Sequence, residues 1–394
     1  MGIARLGGLI AAALSFLMVL SSPSWAAPTL PTTTFASGYQ VTPTAALTYY
    51  GSMSNATTTP ASADVTRLAQ ALGKEPDRIF RFVHDDIEMV WLFGVKAGSR
   101  GAIIDKAGTP FDQTQLLVEL MRASGCTATY KLGVVKFTLA EMLAWTGLSN
   151  QTALEKLLKD GGFPYEVVVE GGVTKVKLLH LWAEVVVPSG KSIAAGTYAF
   201  DPAYKGITYT NVSGSTIDTA SGFNSSTFVS NAASGSTSST SGAPQVRDLN
   251  RTNVTSALAT AASTMQSNIA TNHPADDIEA VVGGSDIQPL SSSYSYPSNL
   301  SYVVSTDQSF TGDIPVKLRT KVTVSFNYNG GTQSWTHDWY ADEIYGEQLF
   351  FEPKPGKEVY TDPDQFRFVE GDHDWTGWLT GVIPGPTVTV DHPY

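Results

Sequence analysis

The chain has 394 residues, 42% apolar and 10% aromatic, a composition that supports packed interiors and excludes a mostly disordered protein. A single core stops growing near ~250–300 residues, so this length predicts two domains. The formal charge of −11, with 25 basic and 36 acidic residues and no basic stripe, argues against nucleic-acid binding, and the single cysteine excludes an intrachain disulfide or a zinc site with two thiolates.

The first 27 residues have the pattern of a secretory signal peptide. Arg5 gives a positive start, an apolar run covers residues 9–20, and Ser24 and Ala26 are the small residues of a cleavage site near Ala26. A membrane anchor is the alternative, but a bilayer-spanning helix needs ~20 apolar residues. We therefore predict a bacterial protein that is secreted or periplasmic, with no membrane contact after signal removal. Residues 28–61 are predicted to be an extended leader, with one strand near Ala46–Tyr50.

Helical spacing of apolar residues starts the folded region. It predicts helices over 62–72 and 76–86, followed by a strand or turn at 89–93 and a glycine-rich loop at 94–101.

The clearest helix start is at Thr109. Thr109 is an N-cap residue, Pro110 suits the first helical position, and Asp112 completes capping-box character. Gly125 is typical of a helix C-terminus, so a helix is predicted over 110–124.

The remaining chain alternates between patterned and low-complexity stretches. The predicted elements are a strand at 127–135, helices at 138–146 and 151–159, a hairpin of 165–170 and 174–187, a strand at 197–201, a Ser/Gly/Thr-rich linker at 211–245, a helix and connecting segment over 246–300, and a β-rich domain at 301–394. Within that last domain, Asn329-Gly330-Gly331 predicts a hairpin between 321–328 and 332–340.

Three segments carry a pattern that resembles the transglutaminase-like superfamily, which has the papain-like cysteine protease fold. They are GTPFDQTQLLVELMRASG at 108–125, LHLWAEVVV at 179–187 and YAFDPAY at 198–204. The family pattern is G-x-C-x-D opening a helix that ends in L-L-R-A-x-G, then H-x-W-x-E, then D-P. The matching residues here are Gly108, Asp112, Leu120, Arg122, Ala123, Gly125, His180, Trp182, Glu184, Asp201 and Pro202. The resemblance implies an α+β fold over 62–210, with N-terminal helices packed on an antiparallel sheet, followed by the β-rich second domain.

The resemblance also implies a catalytic site. His180 matches the family's general base and Asp201 the residue that orients it, so we expect their side chains to pair near the start of the 110–124 helix. Thr109, Pro110 and Trp182 are the implied substrate-cleft residues.

The nucleophile is missing from that site. Pro110 stands where the family has its cysteine, and the only cysteine, Cys126, lies about 24 Å further along the helix at ~1.5 Å per residue. Cys126 is predicted to be a small buried apolar residue. Asp112 is a usable carboxylate, but capping the helix is the simpler role for it, as it is for Thr109.

A narrower resemblance involves the segment 145–162 and the cysteine-free start Gly108…Asp112-Gln113. Both are similar to N-terminal modules of large secreted bacterial proteins with RHS/YD-type repeats. The likeness covers about 71–205 well and 276–351 weakly, and these 394 residues contain no YD repeats.

Three functions stay open. The first is a pseudoenzyme that binds peptide, protein or cell-wall polymer, or is purely structural. The second is an amidase- or transamidase-type hydrolase that uses His180, Asp201 and Asp112. The third is the N-terminal part of a larger surface or toxin-delivery protein. No cofactor is expected for any of them.

Two weaker clusters complete the survey. The acidic cluster consists of Asp362, Asp364, Asp372, His373 and Asp374. Its oxygens suit calcium, but the EF-hand spacing is missing and a solvated acidic loop is the simpler interpretation. His84-Asp85-Asp86 could hold a metal, yet the end of a helix explains it more simply.

Overall fold

The structure is a computed structural model that describes residues 41–51, 58–210, 212–239, 245–276, 281–328, 333–346, 350–351, 367–368 and 387–393. The predicted signal peptide at 1–27 lies outside these residues. So do most of the predicted leader and the acidic candidates Asp362, Asp364, Asp372 and Asp374.

The described chain mixes helices and strands, so the α+β class is confirmed. The helices are α1 (Pro43–Gly51), α2 (Ala63–Ala71), α3 (Pro76–Asp86), α4 (Gly98–Asp105), α5 (Pro110–Ala123), α6 (Leu139–Thr146), α7 (Gln151–Asp160), α8 (Gly214–Ser221), α9 (Ser225–Ala232), α10 (Arg251–Asn272) and α11 (Ala341–Ile344). The strands are β1 (Glu88–Met89), β2 (Ala107–Gly108), β3 (Thr127–Thr138), β4 (Tyr165–Glu170), β5 (Val173–Val187), β6 (Gly196–Phe200), β7 (Ile207–Thr210), β8 (Thr237–Ser239), β9 (Gln245–Arg247), β10 (Gly284–Ile287), β11 (Val303–Phe310), β12 (Lys321–Tyr328), β13 (Gln333–Tyr340), β14 (Phe350–Phe351), β15 (Arg367–Phe368) and β16 (Thr387–Asp391).

The start of α5 is fixed by the capping box that its sequence predicts. The Thr109 hydroxyl accepts the Asp112 N–H at 3.1 Å, and the Asp112 carboxylate accepts the Thr109 N–H at 3.0 Å. Pro110 occupies the first helical position, where a missing N–H costs no hydrogen bond. Gly125 follows the helix in the left-handed region at φ 86°. The predicted helix is confirmed within one residue.

The main sheet is antiparallel and centred on β5. Its strand order is β11–β3–β5–β4, and β6 pairs with the later part of β5. The β4–β5 hairpin predicted from its two glycines is confirmed, with Gly171 and Gly172 both at positive φ in the turn. Because β4 pairs only as far as Leu178 and β6 pairs only from Ala183, the stretch of β5 between them has neither strand beside it.

Helices cover one face of this sheet. Tyr130 and Phe200 both lie opposite Ala183 in the strand pairing, so their side chains share a face. Arg122 of α5 lies over the Tyr130 ring, and Phe80 of α3 packs on Phe200 with ring centroids 4.7 Å apart. We call this the helix-covered face.

The domain division differs from the one read off the sequence. The predicted β-rich domain began at residue 301, but β11 pairs with β3 along its length, from Val303 opposite Lys136 to Phe310 opposite Tyr130. Of the described residues, those within 41–143, 148–204 and 289–393 form one compact unit, and those within 144–147 and 205–288 form the other. The reason is that β3 offers an open edge, which β11 fills.

The stretch 211–245, predicted to be a linker, contains regular structure instead. It contains α8 and α9, each started by a side-chain cap from Ser213 or Asn224. The Phe223 and Phe228 rings pack at 5.2 Å, and the Asn250 N–H donates to a carbonyl at the end of α9. Ser and Asn favour loops and helix caps alike, and here they serve as caps.

Two N-terminal predictions are wrong. The strand expected near 46–50 is helix α1, which starts at Pro43 in the first helical position. The loop expected over 94–101 ends at α4, which begins at Gly98. In the stretch predicted as a strand or turn, 89–93, Met89 belongs to a strand, in a short parallel pairing of β1 with β2.

Candidate functional site

His180 and Asp201 form a buried pair. His180 lies in β5 and Asp201 directly follows β6, and the two strands are neighbours in the sheet. Their side chains meet with His180 Nε2 2.8 Å from Asp201 Oδ2. His180 is 0% exposed and Asp201 is 7% exposed. The predicted pairing of the two side chains is confirmed, while their catalytic roles stay predictions.

Asp201 has further donors on both oxygens. The Tyr302 hydroxyl donates to Oδ2 at 2.6 Å, and the backbone N–H groups of Ala203 and Tyr204 donate to Oδ1 at 3.1 and 3.3 Å. Burial raises the pKa of Asp201, but attraction to the His180 ring and the hydrogen bonds from His180 and Tyr302 outweigh it. The pKa of this carboxyl therefore lies below its usual value.

The pair lies on the face of the sheet opposite the helix-covered face. His180 is three residues from Ala183 along β5, so its side chain projects to the other side. Gly133 lies opposite His180, and a Cβ at Gly133 would be 2.6 Å from the Trp182 ring. Glycine at position 133 therefore leaves room for the Trp182 ring. Trp182, a predicted cleft residue, is itself buried.

The other predicted site residues lie at the start of α5. Asp112 Oδ1 accepts three backbone N–H groups, from Lys96, Ala97 and Gly98, at 3.0, 3.0 and 2.7 Å, and Oδ2 accepts that of Thr109. Burial raises the pKa of Asp112 to about 6, while these four N–H groups act in the opposite direction. Both carboxylate oxygens are therefore occupied by backbone donors.

Thr109 and Pro110 are buried as well. The Thr109 hydroxyl donates to the Gly94 carbonyl at 2.7 Å while it accepts the Asp112 N–H. The Thr109 hydroxyl thus both donates and accepts a hydrogen bond within the protein. Pro110 supplies no polar side-chain atom.

One hydrogen bond joins α5 to the strand that carries His180. The Thr114 hydroxyl donates to the Leu181 carbonyl at 3.2 Å, in the stretch of β5 that has neither β4 nor β6 beside it. Leu181 is the residue after His180. α5 therefore contacts the stretch of β5 that carries His180, but from the face opposite the His180–Asp201 pair, so the expected position of the pair near the start of the 110–124 helix is not confirmed.

Cys126 lies at the far end of α5. It is buried, and burial raises the pKa of its thiol. Its N–H donates to the Met121 carbonyl at 3.0 Å, which closes the last turn of the helix. These features fit the predicted role of a small buried apolar residue.

Sequence reasoning missed two contributors to these arrangements. Tyr302 is 101 residues from Asp201 in the chain, and no local pattern marks it as a partner. The N–H donors at 96–98 follow Gly94 and end at the first residue of α4, Gly98. The glycines of the predicted loop at 94–101 are the available signal, but they do not indicate which group the N–H donors bind.

Among the residues that the structure describes, no group of three or more His, Cys, Asp or Glu side chains is placed to hold a metal ion. His84 Nδ1 instead pairs with Asp85 Oδ1 at 2.7 Å. The described helices also include none that is long and apolar enough to cross a bilayer.

Comparison with known proteins gives no match: no family model, no curated protein and no solved structure is similar to this chain. Its function is therefore proposed from its residues and their geometry.

Proposed function

We propose that this chain is an exported protein with a transglutaminase-like core, and that the core is a non-catalytic module whose former catalytic residues now serve the fold. One observation carries the proposal: no candidate group at the start of α5 is available for catalysis, because each polar one already forms hydrogen bonds within the protein. Pro110 offers no nucleophile, the Thr109 hydroxyl is donated to Gly94, and both oxygens of Asp112 accept backbone N–H groups.

Covalent catalysis needs a nucleophile that is free to attack and a base that removes its proton. Asp112 would lose its four N–H bonds if it moved toward a substrate. Those donors would then be buried without an acceptor, at ~1–3 kcal/mol each. This cost favours a structural role for Asp112 over a catalytic one. Binding of peptide or polymer then depends on the module's outer surface rather than on the former nucleophile position.

A second candidate is the amidase- or transamidase-type hydrolase. It is favoured by one observation, the 2.8 Å contact between His180 and Asp201, which is the arrangement of a general base and its orienting carboxylate. The full burial of His180 opposes it, because a substrate atom must reach the imidazole. The third candidate, the N-terminal part of a repeat protein, is supported by the likeness over 145–162, by the cysteine-free start Gly108…Asp112-Gln113 and by the weaker likeness over 276–351. It depends on the coding sequence that adjoins this chain.

Turnover by the wild-type protein separates the first two candidates. The mature chain is incubated with a glutamine-containing peptide, with and without a primary amine, and ammonia release and amine incorporation are followed. We expect neither product. Turnover that is present in the wild type and absent in His180→Ala would overturn the non-catalytic proposal.

A restored thiol tests the transglutaminase-like assignment separately. Pro110→Cys in a Cys126→Ala background places one thiol at the helix start, and proline at this position has no N–H bond to lose. Iodoacetamide alkylation is measured against pH. We expect a thiolate that forms well below the free-cysteine pKa of about 8.5, because the N–H groups of the helix N-terminus stabilise it.

The matched control adds His180→Ala to the same double variant. If the imidazole contributes, this control shifts the alkylation profile to higher pH. A folded variant whose thiol titrates near 8.5 with or without His180 would contradict the assignment of position 110.

A further inference from the structure

Tyr302 shares an oxygen of Asp201 with His180. The Tyr302 hydroxyl donates to Oδ2 at 2.6 Å, and His180 Nε2 lies 2.8 Å from the same atom. Burial raises the pKa of Tyr302 well above its ordinary value, so the phenol keeps its proton and acts as a donor. A phenol donating to a carboxylate is a charge-assisted hydrogen bond, which is stronger than one between neutral groups.

The Tyr302 ring is fixed by its neighbours. Its centroid lies 4.5 Å from that of Phe137, 5.2 Å from that of Tyr204 and 6.2 Å from that of His180, the last two in edge-to-face geometry. Packing on these rings determines where the hydroxyl points. Replacing Tyr302 by phenylalanine would keep these ring contacts and remove only the donor.

The position of Tyr302 depends on β11. It directly precedes that strand, whose first residue, Val303, lies opposite Lys136 of β3. Phe137, the next residue of β3, packs on the Tyr302 ring. The hydroxyl therefore reaches Asp201 only when β11 is paired at the edge of the sheet.

We propose that Tyr302 is a positioning residue that holds the Asp201 carboxylate, and through it the His180 ring, so that the pair is assembled only when β11 is docked on β3. Without Tyr302, the backbone N–H groups of Ala203 and Tyr204 restrain Oδ1 while Oδ2 keeps only its bond to the imidazole. The inference deepens the proposed function and rests on it, because it names what maintains the retained pair.

The test is spectroscopic and uses the full chain. Protein labelled selectively at aspartate carboxyl carbons and histidine nitrogens is titrated by NMR as wild type, Tyr302→Phe and Tyr198→Phe. Tyr198→Phe is the matched control, since it removes a hydroxyl of β6 that donates to the Ala194 carbonyl at 2.9 Å. We expect the Asp201 pKa to rise in Tyr302→Phe and the His180 N–H signal to exchange faster with water. Both should stay at wild-type values in Tyr198→Phe.

A second measurement needs no variant. The Tyr302 hydroxyl proton of the wild type should be observable, protected from exchange and close in space to the His180 ring. Its absence would overturn the inference, as would a folded Tyr302→Phe variant with unchanged Asp201 titration. Neither result bears on amide turnover, so failure here is distinguishable from failure of the proposed function.

Discussion

Two buried aspartates of this protein solve the same physical problem in different ways. Asp112, at the start of α5, is surrounded by four backbone N–H groups. Asp201, after β6, has an imidazole and a phenol as side-chain partners in addition to two N–H groups. Burial acts on both, yet the pKa of Asp112 is raised to about 6 and that of Asp201 is lowered.

The difference lies in the charge of the partners. Backbone N–H groups offer partial positive charge, which does not offset the loss of water around Asp112. At Asp201, burial is the largest single effect, but attraction to the His180 ring at 2.8 Å and the hydrogen bonds from His180 and Tyr302 together outweigh it. Asp112 therefore belongs to the framework of the fold, whereas Asp201 belongs to a coupled titratable pair. The following predictions change one of these factors at a time.

The largest effect is expected from Asp112→Ala. It leaves four buried N–H groups without their acceptor, at ~1–3 kcal/mol each, so we expect a loss of about 5 kcal/mol in the free energy of unfolding. Urea denaturation measures it. Asp112→Asn is the control that keeps one acceptor oxygen and should lose about half as much. A loss under ~1 kcal/mol in Asp112→Ala would show that the N–H groups find other acceptors.

Removing one member of the coupled pair should cost nearly as much. Asp201→Asn leaves His180 buried without its carboxylate, and breaking a buried pair costs ~3–5 kcal/mol. His180→Gln should have a similar effect. If the two side chains are coupled, the double variant is less unstable than the sum of the two, by ~1–3 kcal/mol. Additive losses in this double-mutant cycle would show that the contact carries no coupling.

The pH dependence of stability separates the two carboxyl groups. A raised folded-state pKa makes the Asp112 contribution full below its ordinary value of 3.8 and lost as pH rises through about 6. The shift of about 2 units corresponds to about 3 kcal/mol. Asp201 behaves oppositely, since its lowered pKa gives stability that is present above 3.8 and lost as the pH falls through the folded-state value.

Urea unfolding of wild type and Asp112→Asn between pH 3.5 and 7 tests this sign. The stability of the wild type relative to the variant should fall as the pH rises from 4 to 7. Parallel curves would show that the four N–H groups cancel the effect of burial.

The contrast between these regions also explains which of them the sequence could predict. The α5 start depends on residues within four positions of one another, Thr109 to Asp112, so local capping rules suffice. The resemblance to the transglutaminase-like pattern implies the His180–Asp201 pair. Tyr302 and the N–H donors at 96–98 come from distant segments, and no local rule indicates that β11 will dock at the edge of β3. Non-local strand pairing is what the sequence alone did not reveal.

The Ser- and Asn-rich composition gave a wrong prediction for 211–245, because these residue types are common both in loops and at helix N-termini. Ser213 and Asn224 lie in a stretch that was predicted to be a linker, because Ser, Asn and Gly favour loops. The same side chains cap α8 and α9 in the structure. The helices are short and weakly apolar, so periodicity gave no opposing signal. Limited proteolysis of 212–239 is therefore expected to be slower than for an unstructured linker.

A smaller effect is expected at the other end of α5. Cys126 is buried without charge, so Cys126→Ala removes only packing and should cost about 1 kcal/mol in urea denaturation. Because burial raises the pKa of this thiol, native protein should react slowly with a thiol-specific reagent at neutral pH. Rapid labelling of the folded protein would contradict the buried position. Together with Asp112→Ala, this variant compares a buried polar group near the start of α5 with a buried apolar group just beyond its end.

The smallest effect is expected at Asp160, a paired carboxylate that is not buried. It forms an ion pair with Lys156 one turn earlier in α7, and its side chain is 59% exposed. Such surface pairs contribute ~0.3–0.5 kcal/mol, because water and salt screen the attraction and both side chains lose freedom. Asp160→Asn should therefore change the free energy of unfolding by less than about 0.5 kcal/mol, and still less at high salt.

Asp201 and Asp160 both have a basic partner and differ in burial, whereas Asp201 and Asp112 are both buried and differ in partner. If Asp160→Asn cost as much as Asp201→Asn in the same urea titration, charge pairing alone would explain the His180–Asp201 contact, and burial would no longer be the factor that distinguishes the site.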